Sequence, residues 1–493
     1  MIVAGAGARR LLLVTVPVAL VGLGLLLESS GTFAVFRFSV GRASQDAPSA
    51  RVVADDQRLA GRSVVSVFVR PRDLHGRLRG LLTNTRRSGP DWERPAWVSF
   101  FEDGQLVHSA PAGLRIHGGS SRVVNRPQGF RLYFRRKYGA RELPGAIAFR
   151  DVHHAHSLRR LVLHNDARHR GDGTRWQFAN PLGYDIARRA GALAPPTRPV
   201  RFLLNGEFQG VYVLTEHLDA RDYFEAHPGR RMRAATDEIE ALFHQIRQLS
   251  PLTMATAGQV VDLHSLTRWF IATVFCGTGD AYQEPGLFRD PSRATAQWFW
   301  VTWDMDASFR RVDHDSFALL LSRTGERRAR YKYDVRPSLM TTLLDRDPEY
   351  RAYFMRAWTE VMNHALTPDF LDERYAHYER LTTELGIEDR RFLVPLRQFL
   401  AERPTTVWKT AEAWLGTGPA VVVRVAGHRP VRINDHEVAP GWHGRYFPGM
   451  HLEVDAADGD RAGRVGVLVN GRANTDTTIT VPGGQELQIA ALE

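Results

Sequence analysis

The chain has 493 residues, 43% of them hydrophobic and 24% charged. These are the proportions of a folded globular protein; they exclude a disordered chain and leave room for two or three domains. The net charge of +11 and pI near 10.0 come from arginine, since Lys137, Lys332 and Lys409 are the lysines, and the lone Cys276 excludes an intrachain disulfide or a multi-cysteine zinc site. Arginine suits bidentate phosphate contacts, but a bias this lopsided equally reflects coding preference, so no specific nucleic-acid partner is expected from it.

At the amino terminus Arg9 and Arg10 precede Leu11 to Leu27, an uncharged run of 17 residues closed by Glu28. That length, without a clean small-x-small site directly after it, predicts an uncleaved signal anchor over residues 1–28. The expected arrangement is therefore a body held at the membrane by one helix and facing the extracytoplasmic side. A polar linker over 29–61 would follow.

From Arg62 to Leu74, "RSVVSVFVRPRDL", and from Trp97 to Ala110, "WVSFFEDGQLVHSA", β-branched and aromatic residues predict strands, with Asp103-Gly104 as a turn. The strand Leu114 to His117 then enters Gly118-Gly119-Ser120-Ser121, and Phe130 to Phe134 leaves that loop. Two glycines admit a phosphate close to backbone amides, with serine hydroxyls and Arg122 as added donors. A Gly-Gly hairpin also forms without a ligand. Further on, Asn205-Gly206 has the sequence of a hairpin turn, and Glu216 ends an apolar strand, where a solvated strand-end charge is the plain expectation.

The stretch "QWFWVTWDMDASFRR", Gln297 to Arg311, sets an apolar strand against two aspartates. Aromatic or β-branched residues at every position predict burial on both faces. Asp304 and Asp306, two apart on extended chain, would share a face and converge on one cation. Alternatively one binds metal while the other orders the turn, or both cap backbone amides. Beyond this, Tyr350, Phe354, Trp358, Val361 and Met362 recur at helical spacing, as do Leu396, Phe399 and Leu400. From Ala420 to Glu493 short alternating strands return, as in a small β-sandwich.

From about Val64 to Arg403 the chain resembles the CotH kinase family, the spore-coat-type atypical kinases. The stretches that carry the resemblance, in order, are "VVSVFVRPRDL", "WERPAWVSFF", "GLRIHGGSSR", "FRLYFRRKYG", "RLVLHND", "LGYDIARRAGALAPPTRPVRFLLNGEFQGVYVLTEHLD", "GTGD" and "WFWVTWDMDASF". The resemblance implies an α+β fold that is divergently protein-kinase-like. Its kinase-like domain would span 62–416, with a β-rich lobe over about 62–220 and a helical lobe over about 221–416, followed by the β-sandwich module at 417–493. It implies ATP and Mg2+ as cofactors, transfer of the γ-phosphate to protein Ser/Thr or another hydroxyl, and these roles: Asp280 as catalytic aspartate, Asp304 as metal ligand with Asp306 as its partner, and Glu216 pairing with a phosphate-contacting cation. Gly118, Gly119, Ser120, Ser121 and Arg122 would form the phosphate-covering loop.

Two departures stand out. Where the family carries lysine before the Phe-Arg strand, this chain reads "NRPQGFR", so Arg126 or Arg131 would have to replace it, and a guanidinium is a different shape from an ammonium. Where the family places an asparagine after the catalytic aspartate, Glu284 and Pro285 stand, and Glu284 would serve as a further metal ligand. The alternative reading is therefore a surface-anchored binding or structural protein that has lost turnover; on either reading the C-terminal module would present the kinase-like domain or contact a cell-surface polymer.

Overall fold

The computed structural model describes residues 62–119, 121–124, 127–139, 141–149, 157–165, 168–169, 175–217, 236–279, 286–289, 297–321, 336–456, 467–474, 476 and 478–492. Within them the chain is of mixed α+β type and divides into two compact units.

The first unit runs to Asn165 and takes in Pro196–His217 with Glu384–Gly386. Seven strands close into a barrel: β1 (Val64–Val69), β2 (Arg94–Glu102), β3 (Gln105–Ile116), β4 (Phe130–Tyr133), β5 (Arg160–His164), β6 (Thr197–Leu204) and β7 (Glu207–Glu216), in the order β1-β6-β7-β5-β4-β3-β2. The turns at Asp103-Gly104 and Asn205-Gly206 have positive φ at both residues (50° and 79°, 52° and 84°), the conformation that matches the right-handed twist of paired strands. Closure depends on a non-local step, the parallel pairing of β1 with β6 from Val64 opposite Arg201 to Val67 opposite Leu204. Alternation sorts the side chains: Val65, Val67, Val98, Phe100, Leu114, Leu132, Leu163 and Phe202 share one core, while Val64, Phe101 and Leu203 cluster on the other face.

In the second unit the central element is α2 (Leu263–Cys276), which follows α1 (Ala179–Arg189) in the chain and is buried along nearly its whole length. The Asp262 carboxylate caps its start by accepting from the Ser265 N–H (2.9 Å), and Gly277 at φ 61° ends it. At that end Arg403, 1% exposed, donates to the carbonyls of Phe275 (3.0 Å), Val274 (2.6 Å) and His314 (2.9 Å), and to that of Val312. A cation on the terminal carbonyls suits both the helix dipole and their unmet acceptor capacity.

The same unit contains α3 (Pro348–Glu360), α4 (Leu393–Leu415) and the C-terminal strands. Those strands form a five-stranded sheet, in which Val421–Val425 runs parallel to Leu487–Ala491, and a four-stranded sheet around Val431–Ile433 and His451–Ala456. They are fixed to the turn Val361–Ala365 that follows α3 by polar and aromatic contacts. The Asn363 side chain donates to the Arg445 carbonyl and accepts from its N–H, both at 2.9 Å. The His364 ring stacks on His436 (centroids 3.9 Å, planes 13° apart) and on Trp442 (5.2 Å, 5°). Gly444 permits this approach, because a Cβ there would lie 2.4 Å from the Trp442 ring and 3.0 Å from the Asn363 amide carbon.

The expected membrane anchor is corrected. No helix among the described residues is long and apolar enough to cross a membrane, and the segment 1–28 that carried the expectation lies outside them. Anchoring through an N-terminal helix, and the extracytoplasmic placement of the body that went with it, are accordingly withdrawn.

Burial, then the neighbouring His436, pushes the His364 imidazole down from 6.5 to about 4. The unfolded chain thus binds a proton between these values that the folded chain does not, and stability is lost as the pH falls from 6.5 towards 4. The expected loss is of order 2 kcal/mol, allowing for partial exposure. In urea unfolding followed over this pH range, His364→Phe, which keeps a stacking ring, is expected to show a correspondingly smaller decline than the unaltered protein; parallel declines would remove His364 as the cause.

Candidate active site

Trp298–Val301, here β9, is buried at every residue, between 0 and 5% exposed, and pairs with β8 (Gly286–Arg289). Its other edge is taken by chain outside any named strand: the Trp298 N–H donates to the Val260 carbonyl (2.8 Å), the Asp262 N–H donates to that of Trp298 (2.7 Å), and Leu193 bridges Val301. The strand stops at Val301. Asp304 has φ +57°, a left-handed conformation that aspartate tolerates better than most residues. The two carboxylates are therefore delivered by a turn, not by the face of an extended strand. One oxygen from each nevertheless lies within 4.8 Å of one from the other, and both side chains are half-buried.

The seat of this turn is helix α1. The Asp304 N–H donates to Tyr184 Oη (3.1 Å) and the Met305 N–H to Asn180 Oδ1 (2.7 Å), from residues four apart on one helix face. Between them Gly183 makes room for Met305, since a Cβ there would stand 2.7 Å from Met305 Cβ. Trp303 stacks on the Tyr184 ring (6.3 Å, 23°). Sequence reading passed over Asn180, Gly183 and Tyr184; the signal was present in "NPLGYD", where a helix carries asparagine, glycine and tyrosine on one side.

After α2 come Gly277, Thr278 and Gly279, with Thr278 wholly buried. Asp280 and Glu284 lie outside the described residues, as do Ser120 and Arg126. Next to this segment, burial and then Arg403 and Arg311 push the His314 imidazole below its ordinary value.

In the barrel unit Gly118 has φ +103°, and a Cβ on it would fall 2.1 Å from Ser121 Oγ, so the loop admits glycine there and little else. Nothing approaches the Cβ position of Gly119 within 4 Å. Arg122, expected as a phosphate donor, has three of its five N–H donors engaged by the chain: Nε to the Gly118 carbonyl (2.8 Å), Nη1 to Arg87 (2.9 Å) and Nη2 to Ile116 (3.0 Å). It braces the loop. Arg131 on β4 reaches His117 Nδ1 through Nη2 (2.9 Å) and Tyr133 Oη through Nη1 (3.4 Å). Glu216 is 2% exposed at the end of β7, which rules out a solvated strand-end charge. Gln128, at the place of the family lysine, is 4% exposed; its carbonyl accepts from Tyr212 Oη (2.8 Å).

The CotH kinase protein family matches the chain over residues 114–239 and 230–390, together more than half its length. The chain belongs to the CotH kinase family, and is in that sense a kinase-like protein. Membership implies, in general terms, a nucleoside triphosphate and a divalent metal. No curated protein matches the chain. Among solved structures it is similar to the Shewanella oneidensis MR-1 toxin–antitoxin system HipA and HipB with operator DNA, at 14% identity and a TM-score of 0.27. The match covers 53% of this chain and 59% of that one, a likeness too slight to carry an argument.

Removing the Asn180 acceptor would leave the buried Met305 N–H unsatisfied, so Asn180→Ala is expected to cost about 1–3 kcal/mol in urea unfolding, whereas Asn180→Asp, which keeps an acceptor oxygen, is expected to cost distinctly less. Equal losses would show that the bond to Met305 is not what holds the turn.

Proposed function

We propose that the protein is a magnesium-dependent kinase that transfers the γ-phosphate of ATP to a hydroxyl, on protein Ser/Thr or another acceptor. The observation that carries the reading is the carboxylate pair Asp304 and Asp306, seated by Asn180 and Tyr184 at the end of a buried strand inside the family's matched region. The pair fits the metal in donor type and reach. Two oxygens sharing one Mg2+ stand about 3–4 Å apart, which a separation within 4.8 Å admits, and half-exposed carboxylates leave room for the waters Mg2+ retains. Asp304 and Asp306 would hold the ion, with Glu284 as a third oxygen donor. A divalent cation held by these carboxylates would supply positive charge against the nucleotide phosphates.

The chain's own residues would do the rest. Asp280 is assigned the acceptor hydroxyl, orienting it and taking its proton. The Gly118–Gly119 loop, held in shape by Arg122, would offer backbone amides to the nucleotide phosphates, with Ser120 and Ser121 as hydroxyl donors. Arg131 and Arg126 stand as candidates for the family lysine, and Glu216 for its carboxylate partner.

A second reading is favoured by one observation. Gln128 is buried at the lysine position, so a neutral amide stands where a phosphate-binding cation is expected. On that reading the protein binds nucleotide without turnover and acts as a scaffold.

Asp304→Asn is expected to abolish the stabilisation that ATP with Mg2+ gives in a thermal melt while leaving the ligand-free melting temperature within a few degrees, because one anionic ligand is lost from a seated turn. Unchanged stabilisation would overturn the metal assignment. Asp280→Ala is expected to retain nucleotide affinity within a few-fold and to lower label transfer from γ-labelled ATP by roughly two to four orders of magnitude. Tight nucleotide binding with no transfer by the unaltered protein would favour the scaffold.

A further inference from the structure

One end of strands β3, β4 and β5 gathers more positive charge than its carboxylates neutralise. Glu93, its side chain 1% exposed, accepts from Arg115 Nε (3.0 Å) and Nη2 (2.6 Å) and from Tyr138 Oη (3.0 Å), and pairs with Lys137 Nζ (2.8 Å) and Arg135 Nε (3.3 Å). Around the Tyr133 ring stand the guanidinium carbons of Arg115 (4.3 Å from the centroid), Arg135 (4.9 Å) and Arg160 (5.7 Å). Register brings them together: Tyr133 lies opposite Gly113 on β3 and Arg160 on β5, and Arg115 follows Gly113 by two residues on the same face. Gly113 is small for a reason, because a Cβ there would stand 2.7 Å from both Glu93 and Tyr138.

Three cations thus converge on one buried carboxylate, with Arg160 a fourth beside the Tyr133 ring, and the excess is open to water. The side chains of Arg135 and Lys137 are 40% and 57% exposed, and the adjacent Arg136 is exposed as well. Like charges fixed this close repel, and the buried Glu93 relieves only one of them. Burial raises the Glu93 carboxyl, but hydrogen bonds from Lys137 and Arg115 outweigh it and hold the group below its ordinary value, so it stays ionised.

We infer that this cluster is a docking site for an acidic or phosphorylated protein segment. A planar fork beside an ammonium, in a compact group, matches a point anion such as a phosphate or a pair of carboxylates. Nucleic acid is the poorer match. It asks for a basic track along a backbone with aromatic faces free for bases, whereas Tyr133 already carries guanidinium groups and Tyr138 the Lys137 ammonium at 4.7 Å. The site lies wholly within the barrel unit and does not depend on phosphoryl transfer.

The test uses the full chain, without ATP, and the fluorescence anisotropy of a labelled peptide bearing two phosphoserines among glutamates, beside its alanine-substituted neutral counterpart. The phosphopeptide is expected to bind with an affinity that falls as salt rises, the neutral peptide not to bind, and Arg135→Glu with Lys137→Glu to weaken binding at least about tenfold. Arg472→Glu, an exposed charge reversal in the C-terminal strands, is expected to leave it unchanged. Should the double variant fail to fold, Lys137→Gln alone is expected to weaken binding about threefold. Absence of phosphopeptide binding at low ionic strength would overturn the inference, as would equal weakening by Arg472→Glu. Tighter binding of a single-stranded oligonucleotide of equal charge, lost in the same double variant, would assign the patch to nucleic acid instead.

Discussion

Where β9 runs out, the amides of Asp304 and Met305 need acceptors, and the placement of both carboxylates follows from how that need is met. Tyr184 and Asn180 supply the acceptors from a helix more than a hundred residues earlier in the chain. An aspartate in left-handed conformation is not held by its own φ/ψ preference; it persists because surrounding contacts over-determine it. Here those contacts are two hydrogen bonds, the Met305 side chain against Gly183 and the Trp303 ring on Tyr184. The carboxylates themselves stay half-exposed while their backbone is fixed, which lets a pair of like charges sit together without being buried.

Arginine, which dominates the charge of the chain, does in the folded protein what composition could not reveal. Arg122 and Arg403 turn their guanidinium groups onto backbone carbonyls, as does Arg94, which is 2% exposed and donates to the carbonyls of Arg79 (2.9 Å), Asp91 (2.8 Å) and Glu93 (3.2 Å). A five-donor planar group can satisfy several carbonyls that leave their segments in different directions, which an ammonium on a flexible stem does less well. These three arginines therefore serve as internal bracing. Around Glu93 and Tyr133, by contrast, cations outnumber the carboxylate they share and stay partly open to water.

The local features were legible in the sequence, and the non-local ones were not. The strand before Asp304 was visible because every position in Trp298–Val301 is aromatic or β-branched, and the hairpins because Asp-Gly and Asn-Gly fix positive φ wherever they stand. The sequence did not disclose where that strand ends: Thr302 and Trp303 are good strand residues, but Thr302 gives its N–H to Leu193 and the chain then turns. Barrel closure, the burial of Glu216 and the engagement of Arg122 each depend on partners remote in sequence, so alternation and turn chemistry cannot see them. The resemblance to CotH kinases supplied the roles proposed for Asp280, Asp304 and Asp306, which composition and spacing alone left open.

Arg403 lies beyond residue 390, where the family match ends, yet its guanidinium reaches back to four carbonyls, two at the close of α2 and two in the 312–314 segment. A chain cut at the edge of the recognisable homology would leave those carbonyls facing an apolar interior with no donor, beside the "GTGD" segment. The contacts that hold this segment thus extend past the end of the family match. The helix carrying Arg403 belongs to the architecture of the site even though nothing in its sequence advertises chemistry.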